Sequence, residues 1–303
     1  MTFDLAVVQP VTFFGAGSRE RNVANARAYV TQASDQGAQL VLLPETYPGE
    51  WREPIDWTPI DELQDIARAA GVYLVGGFAE PLDDAGSRCY NTLVLIDPNG
   101  NEVGRYRRTT PAHAPWIYKG GDYWDFDWVN ATELPIFETE LGVIGLLVCS
   151  EIYPPELARI LSLKGAEVLL LPTGLASPER HAGTLSGGDL YASWRTLVQA
   201  RAIENLAYTA VCANLPTARS KGLTMVCSPE QILVDEQDEG VYIASVDLDR
   251  IRWLRAEQDG VAESDPPYRA KPGALRDWRR QAVFEANPIL TAGVEDPVPA
   301  PPT

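Results

Sequence analysis

The chain has 303 residues, 45% of them hydrophobic, so it is long enough to bury a sizeable core without disulfide or metal cross-links. Its 42 acidic and 25 basic residues give a formal net charge of -17, and such a charge repels nucleic acids and anionic membrane surfaces. No apolar run approaches the about 18 residues of a membrane span, and the first residues lack the basic start of a signal peptide. The sequence therefore predicts a soluble protein with no nucleic-acid and no membrane partner.

Cysteine and histidine usage indicates a reducing compartment and argues against a histidine-rich metal site. The four cysteines lie far apart with no C-x-x-C pair, which is typical of reduced thiols in the cytoplasm. The two histidines, His113 and His181, are distant in sequence, whereas catalytic zinc is held by a cluster of such ligands. We therefore predict a cytoplasmic protein that uses no metal and no cofactor.

The first half of the chain alternates apolar runs of strand length with helical patterns, which indicates an α/β layered domain. Glycine follows both predicted helices of this half, as it often does where a helix ends. A Pro-Asn-Gly-Asn turn at 98–101 joins the last two strands. The predicted elements are strands at 5–9, 40–45, 73–79, 91–97 and 102–107, and helices at 18–36 and 61–70.

The alternation recurs in the second half of the chain. The strand ends LVLLPE at 40–45 and VLLLPT at 168–173 are alike, which suggests two halves of related build. Predicted strands cover 135–139, 143–148, 168–172, 208–213, 223–227, 231–234 and 241–246, and predicted helices cover 155–164 and 190–206.

The composition changes near residue 258. Residues 259–303 are rich in proline and charge, and a segment of that composition cannot build a core. No clear linker interrupts residues 1–258. We therefore predict one domain over residues 1–258 and a partly mobile extension over residues 259–303.

Two chemically useful side chains stand at the ends of predicted strands. Glu45 follows LVLLP, and Cys149 follows VIGLLV. Ligands gather at such strand ends in open α/β sheets, and a catalytic thiol needs a base within reach. Each residue also has a plainer interpretation, because most free cysteines are small buried residues and an acid after proline often caps a turn. A helix that begins at Pro154-Pro155 is expected to favour the Cys149 thiolate through its positive end.

Four blocks of sequence carry a wider pattern that resembles the nitrilase superfamily of carbon-nitrogen hydrolases. The resemblance runs from residue 4 to about residue 255, and the order and spacing of the blocks agree with that family. It implies a four-layer αββα sandwich and a homodimer or larger homo-oligomer. The blocks are QLVLLPETYPGEW at 39–51, GRYRRTTPAHAP at 104–115, the segment around LLVCSEIYPPEL at 137–173, and WRTLVQARAIENLAYTAVCAN at 194–214.

The resemblance also implies a catalytic triad of Glu, Lys and Cys, and two of its members are present. Glu45 matches the general base, and Cys149 matches the nucleophile. The backbone N–H of Ser150 is the implied donor to the oxyanion. Glu151 matches a position that is acidic in much of the family, where it is expected to hold the loop of the nucleophile in shape.

The third triad position departs from the family pattern. Relatives read Tyr-Arg-Lys, whereas this chain reads Tyr106-Arg107-Arg108. Arg108 can supply positive charge and additional donors, but it cannot easily pass a proton because its pKa exceeds about 12. Lys119, in the loop after the second block, is the alternative cation. Its plainer interpretation is an exposed loop lysine.

A glutamate that many relatives carry shortly after the lysine is also missing, because residues 108–121 contain no acid. His113 is the candidate to replace it as a hydrogen-bond partner, although a lone loop histidine is more often solvated. Four aromatic residues are candidates for the wall of the substrate pocket or, equally, for a subunit interface: Tyr47, Trp51, Trp116 and Tyr118.

Together these features predict a cysteine-dependent hydrolase that cleaves a non-peptide C–N bond of a small carboxamide or carbamoyl compound through a thioester. True nitrilases of the resembled family carry Trp directly after the cysteine, whereas Ser150 stands here, so an amide is favoured over a nitrile. Three alternatives stay open on the same fold: a nitrilase, an amide-forming acyl transferase, and a binding or scaffold protein that the Arg108 replacement has impaired.

Overall fold

The structure is a computed structural model that describes residues 1–49, 55–86, 88–110, 127–174, 190–255 and 281–286. The chain divides into two compact units, Met1–Leu248 and Asp249–Thr303. The boundary expected at residue 258 lies outside the described residues, so the extent of the C-terminal extension stays a prediction.

The described strands and helices alternate along most of the chain. The strands are β1 (Thr2–Gln9), β2 (Leu40–Leu42), β3 (Tyr73–Pro81), β4 (Arg88–Ile96), β5 (Glu102–Arg107), β6 (Asp127–Val129), β7 (Ile136–Thr139), β8 (Gly142–Leu146), β9 (Val168–Thr173), β10 (Tyr208–Ala213), β11 (Thr224–Cys227), β12 (Ile232–Glu236) and β13 (Gly240–Asp247). The helices are α1 (Ser18–Asp35), α2 (Ile60–Ala70), α3 (Pro155–Lys164), α4 (Leu190–Asn205), α5 (Leu248–Arg255) and α6 (Gln281–Ala286), and a 3-10 turn covers Cys149–Ile152.

Most of these elements match the predicted ones to within a few residues. Gly71 and Gly165 end α2 and α3 with φ of 66° and 119°, in the left-handed region that glycine tolerates best. Strand β2 is shorter than predicted and ends at Leu42, because Pro44 has no N–H with which to continue the ladder. Glu45 therefore lies in the turn that follows β2. Three short elements were not predicted: β6, α5 and α6.

Two mixed sheets form the centre of the first unit. The first sheet has the order β13-β1-β2-β3-β4-β5, with β6 paired to β4, and the second has the order β12-β11-β10-β9-β8-β7. Strands β1, β2 and β3 are parallel in the first sheet, and β8, β9 and β10 are parallel in the second. The carboxyl ends of three neighbouring strands therefore share one edge in each sheet.

The helices and sheets form four layers. Helices α1 and α2 bury their apolar faces on the first sheet, where Val30 and Leu63 join Val41 and Leu74 in one core cluster. Helix α3 packs against β8, α4 packs against β10 and β11, and β1 contacts β10 and β11 across the space between the sheets. The predicted αββα sandwich is therefore confirmed. None of the helices in the described ranges is long and apolar enough to cross a bilayer.

Candidate active site

Three side chains that the sequence singled out converge at the ends of their strands. Glu45 follows β2 and Arg108 follows β5 in the first sheet, whereas Cys149 follows β8 in the second. Glu45 and Arg108 are 5% and 3% exposed, and Arg108 Nη1 lies 3.5 Å from Glu45 Oε1. The site is therefore built from both sheets, which places a carboxylate, a guanidinium and a thiol close together.

The nucleophile candidate stands on a sharp turn. Cys149 has φ of 50°, a left-handed conformation that is uncommon for a residue with a side chain. It opens the 3-10 turn, which Glu151 N–H closes by donating to Val148 O at 3.0 Å. Of the four cysteines, Cys149 is partly exposed, whereas Cys89, Cys212 and Cys227 are buried. The turn therefore presents this thiol where a ligand can reach it.

Glu45 is held by donors from both sheets. Asn91 Nδ2 on β4 donates to Oε1 at 2.7 Å, and Gly174 N–H, directly after β9, donates to Oε2 at 2.6 Å. Asn214 Nδ2, after β10, donates to the backbone oxygen of Glu45 at 2.9 Å. Short hydrogen bonds to both carboxylate oxygens fix the orientation of the group.

The end of strand β9 contacts both the carboxylate and the thiol. Thr173 Oγ1 donates to Cys149 Sγ at 3.2 Å, and the next residue, Gly174, donates to Glu45 through its N–H. Two consecutive residues thus hold two side chains that are 104 positions apart in sequence. This short segment sets the position of the base candidate relative to the nucleophile candidate.

The surroundings of Cys149 favour the neutral thiol over the thiolate. Burial and then the negative charge of Glu45 raise its pKa to about 12, against the lowering influence of Arg108, Thr173 and Gly174. The expectation that the helix mouth favours a thiolate is therefore wrong. Helix α3 begins at Pro155, six residues after Cys149, and the influence of a helix dipole falls off within the first turn, whereas burial and a nearby carboxylate both favour the neutral thiol.

We expect Cys149 to react slowly with iodoacetamide at pH 7 and with a midpoint well above the about 8.5 of an ordinary thiol. The raised pKa leaves little thiolate at neutral pH. Peptide mass spectrometry across a pH series measures the rate at Cys149, with a free cysteine peptide as reference. A midpoint below that of the reference peptide would contradict the electrostatic description of the site.

Arg108 is anchored on three sides. Its Nε donates to Thr110 O at 3.0 Å, its Nη2 donates to Ser150 Oγ, and its Nη1 lies at the 3.5 Å limit from Glu45. Burial alone would lower the pKa of Arg108, but the attraction of neighbouring anions, which are the Cys149 thiolate once it forms and then the Glu45 carboxylate, outweighs burial and raises it. The guanidinium therefore stays charged at every accessible pH and provides a fixed cation in the site.

Glu151 links the turn of the nucleophile to the segment that carries Arg108. Its carboxylate is fully buried. Oε2 accepts from Val148 N–H at 2.8 Å and from Tyr106 OH at 2.6 Å. Oε1 accepts from the backbone N–H groups of Thr109 and Thr110 at 2.8 and 3.1 Å. Both carboxylate oxygens therefore accept hydrogen bonds from the protein itself. This indicates that Glu151 positions the turn and does not contact the substrate.

We expect Glu151→Ala to lower the free energy of unfolding by at least about 3 kcal/mol, because it leaves several buried donors without an acceptor. For a chain of this size such a loss lowers the melting temperature by about 5 °C or more. Calorimetry measures the change. The matched control is Glu156→Ala, at an exposed position on the same segment, and equal melting temperatures for the two variants would show that the network contributes nothing.

Five of the other predicted site residues lie outside the described residues, and one has a defined place. Tyr47 is fully buried in the core cluster that includes α1, and its OH donates to Asn22 O at 3.1 Å. That placement is a core position, so Tyr47 is not part of the pocket proposed below. The residues outside the described ranges are Trp51, His113, Trp116, Tyr118 and Lys119.

The sequence analysis missed three residues whose side chains contact Glu45 or Cys149, which are Asn91, Thr173 and Asn214, and it also missed the backbone donor Gly174. A signal for Thr173 was present, because VLLLPT repeats the pattern of LVLLPE and puts Thr173 at the position that corresponds to Glu45. Asn91 lies inside β4, and its contact with Glu45 depends on where β4 lies in the sheet. No local pattern marks it. Asn214 follows Ala213 at the end of β10, which is the same kind of position as Glu45 and Cys149.

No metal centre is found in the part of the chain that the structure describes, since no three His, Cys, Asp or Glu side chains group there. The two carboxylates nearest the thiol, Glu45 and Glu151, are bonded to N–H and O–H donors. The positive charge beside them comes from Arg108.

Comparisons with known proteins identify the family of the chain. The carbon-nitrogen hydrolase family model matches residues 4–256. Deaminated glutathione amidase of Synechocystis sp. is 31% identical over 258 residues, which are 79% of this chain and 91% of that protein. N-carbamoylputrescine amidase of Solanum lycopersicum is 28% identical over 83% of this chain and 89% of its own length.

Solved structures show the same fold. The amidase from Nesterenkonia sp. AN1 superposes with a TM-score of 0.64 at 22% identity, over 82% of this chain and 95% of that one. Saccharomyces cerevisiae Nit3, a member of branch 10 of the nitrilase superfamily, gives 0.68 at 20% identity, over 84% and 93%. With a family match that spans most of its length, the chain belongs to the carbon-nitrogen hydrolase family, within the nitrilase superfamily.

Proposed function

We propose that this protein is a cysteine-dependent amidase that hydrolyses a non-peptide C–N bond of a small carboxamide or carbamoyl compound. One observation carries the proposal: the Thr173-Gly174 segment donates to Cys149 Sγ and to Glu45 Oε2, so a nucleophile and a base share one support. A thiol with a base within reach is the arrangement that nucleophilic catalysis of acyl transfer needs.

In the first half-reaction Cys149 Sγ attacks the carbonyl carbon of the amide. Glu45 takes the thiol proton as the S–C bond forms, and then delivers it to the departing nitrogen as the C–N bond breaks. Ammonia or an amine leaves, and an acyl thioester stays on Cys149. The pKa of about 12 for the thiol supports a step in which proton removal accompanies attack, because little thiolate exists beforehand.

In the second half-reaction water hydrolyses the thioester. Glu45 removes a proton from the water as its oxygen attacks the acyl carbon, and returns the proton to the sulfur as the carboxylic acid leaves. The two donors that fix the Glu45 carboxylate, Asn91 and Gly174, keep the base in one orientation for both halves. No cofactor is required for the balance of atoms or electrons.

The negative oxygen of each tetrahedral intermediate needs donors placed before the reaction begins. We assign this role to the backbone N–H of Ser150 and to the guanidinium of Arg108. The buried position and raised pKa of Arg108 support the assignment, because its charge persists without a proton transfer. Lys119 stays an alternative cation, and His113, Trp51, Trp116 and Tyr118 stay candidates for the pocket.

The test is a panel of small amides assayed for ammonia release. The panel contains the substrates after which two relatives are named, deaminated glutathione and N-carbamoylputrescine, together with simple aliphatic amides and one nitrile. We expect ammonia from at least one amide and a mass increase on the Cys149 peptide equal to the acyl group. An added amine that captures the acyl group would identify an acyl transferase, and turnover of the nitrile alone would identify a nitrilase.

A binding or scaffold role is the second candidate function, and the observation that favours it is arginine at the position where the resemblance expects lysine. An impaired enzyme of this kind would release no ammonia from any compound of the panel. Its Arg108→Lys variant would then gain activity, whereas a working enzyme would lose it.

We also propose a cytoplasmic location and a homodimer or larger homo-oligomer. No disulfide joins any of the four cysteines, which supports a reducing compartment. The assembly is inferred from the family resemblance, and light scattering coupled to size exclusion measures it directly.

A further inference from the structure

We propose that Ser150 is a positioning residue whose side-chain hydroxyl holds the guanidinium of Arg108 beside the nucleophile. The inference rests on the proposed function, in which Arg108 is the cation of the site. It gives the side chain of Ser150 a task that is separate from that of its backbone N–H.

The contacts of Arg108 show why a hydrogen bond to Ser150 is needed to orient the guanidinium. The attraction to Glu45 spans 3.5 Å, which is at the outer limit of a hydrogen bond and fixes no orientation. Two hydrogen bonds hold the guanidinium at different nitrogens: Thr110 O accepts from Nε at 3.0 Å, and Ser150 Oγ accepts from Nη2. Because the guanidinium is planar and rigid, two acceptors at separate nitrogens define its plane.

The position of Ser150 links the orientation of Arg108 to the position of the nucleophile. Ser150 directly follows Cys149 on the turn that starts with φ of 50°. Ser150, which holds the guanidinium of Arg108, and Cys149, which depends on that charge, are therefore adjacent parts of one turn. Glu151 joins the same turn to Thr109 and Thr110, so the backbone that carries Arg108 is tied to the turn as well.

A lysine at position 108 would not use Ser150 in this way. A lysine has one terminal nitrogen and lacks the Nε and Nη2 donors that reach Thr110 O and Ser150 Oγ. The Ser150 hydroxyl should therefore matter when residue 108 is arginine and lose its importance when residue 108 is lysine. A purely structural serine would matter equally in both backgrounds.

The experiment is a double-mutant cycle of Ser150→Ala and Arg108→Lys with two readouts, kcat on the best amide of the panel and the iodoacetamide rate at Cys149. We expect Ser150→Ala alone to lower kcat about 10- to 100-fold with little change in KM, since a hydrogen bond to a charged group is lost. The alkylation rate falls too, because Arg108 lowers the pKa of the thiol. In the Arg108→Lys background the same change has an effect of less than about 2-fold.

Ser150→Thr is the matched control, because it keeps the hydroxyl and should retain most of the activity. Equal losses from Ser150→Ala in both backgrounds, or no loss in the first, would overturn the inference while leaving the amidase proposal intact. Hydrolysis that persists in Cys149→Ala would overturn the amidase proposal and this inference with it. The alkylation readout needs no turnover, so the cycle is complete even where kcat is too low to measure.

Discussion

Cys149→Ala is expected to abolish amide hydrolysis, with a loss in kcat of at least about 10⁴-fold, because removal of a catalytic nucleophile leaves only substrate binding and oxyanion donors. The fold should survive, since alanine enters the left-handed conformation of residue 149 on the same terms as cysteine. Ammonia release measures the activity, and the thermal transition of the variant shows that the protein is folded.

The control for this prediction is Cys89→Ala. Cys89 is fully buried and packs with Ile55 and Ala79, away from the proposed nucleophile. Its truncation is expected to cost about 1 kcal/mol of stability and to leave kcat unchanged. If Cys149→Ala keeps its activity, then Cys149 is not the nucleophile; if both cysteine variants lose activity, the loss comes from destabilisation.

Local signals were sufficient to predict an α/β domain and to single out Glu45 and Cys149 as candidates, whereas the four-layer arrangement was implied by the family resemblance. The alternation of apolar runs and helical patterns, with glycine at helix ends, shows in a single pass along the chain, and Gly71 and Gly165 end helices as expected. Glu45 and Cys149 stand directly after strand-length apolar runs, at the edge where sheet topology collects side chains.

The support of those two side chains could not be predicted, because it depends on which strands are neighbours. Asn91 reaches Glu45 only because its strand lies two places from β2 in the first sheet, and Thr173 reaches Cys149 because β9 is next to β8. Such contacts join residues that are far apart in sequence. Each of these contacts exists only when the strands of its own sheet have assembled, and the contact from Gly174 N–H to Glu45 also needs the two sheets to pack together.

The prediction that Cys149 is a thiolate was wrong for a related reason. A helix start after Cys149 is visible in the sequence and favours a thiolate, whereas the burial and the carboxylate that oppose it come from packing. The structure shows that these two causes dominate and raise the pKa of Cys149 to about 12. Local electrostatics alone therefore gave the wrong sign for the shift.

The Glu45 carboxylate is expected both to accept the thiol proton and to raise the thiol pKa, and Glu45→Gln separates these two effects. Hydrolysis should become slower, whereas alkylation of Cys149 should become faster. Hydrolysis should fall by about 10²- to 10⁴-fold, because the amide cannot accept the thiol proton. Alkylation of Cys149 by iodoacetamide at pH 8 should become faster. After burial, the charge of Glu45 is the main cause that raises the thiol pKa, so its removal lowers that pKa and increases the thiolate fraction at any pH below it.

Ammonia release and the alkylation rate are measured on the same preparation, with Glu138→Gln, at an exposed position on β7, as the matched control that changes neither. A fall in both rates would mean that Glu45 serves only to shape the site, and unchanged hydrolysis would mean that another group is the base. If Glu45 is the general base, the variant should hydrolyse amides more slowly although its thiol is more reactive. The catalytic step needs Glu45 to accept the thiol proton and later deliver it, and a larger thiolate fraction does not replace that transfer.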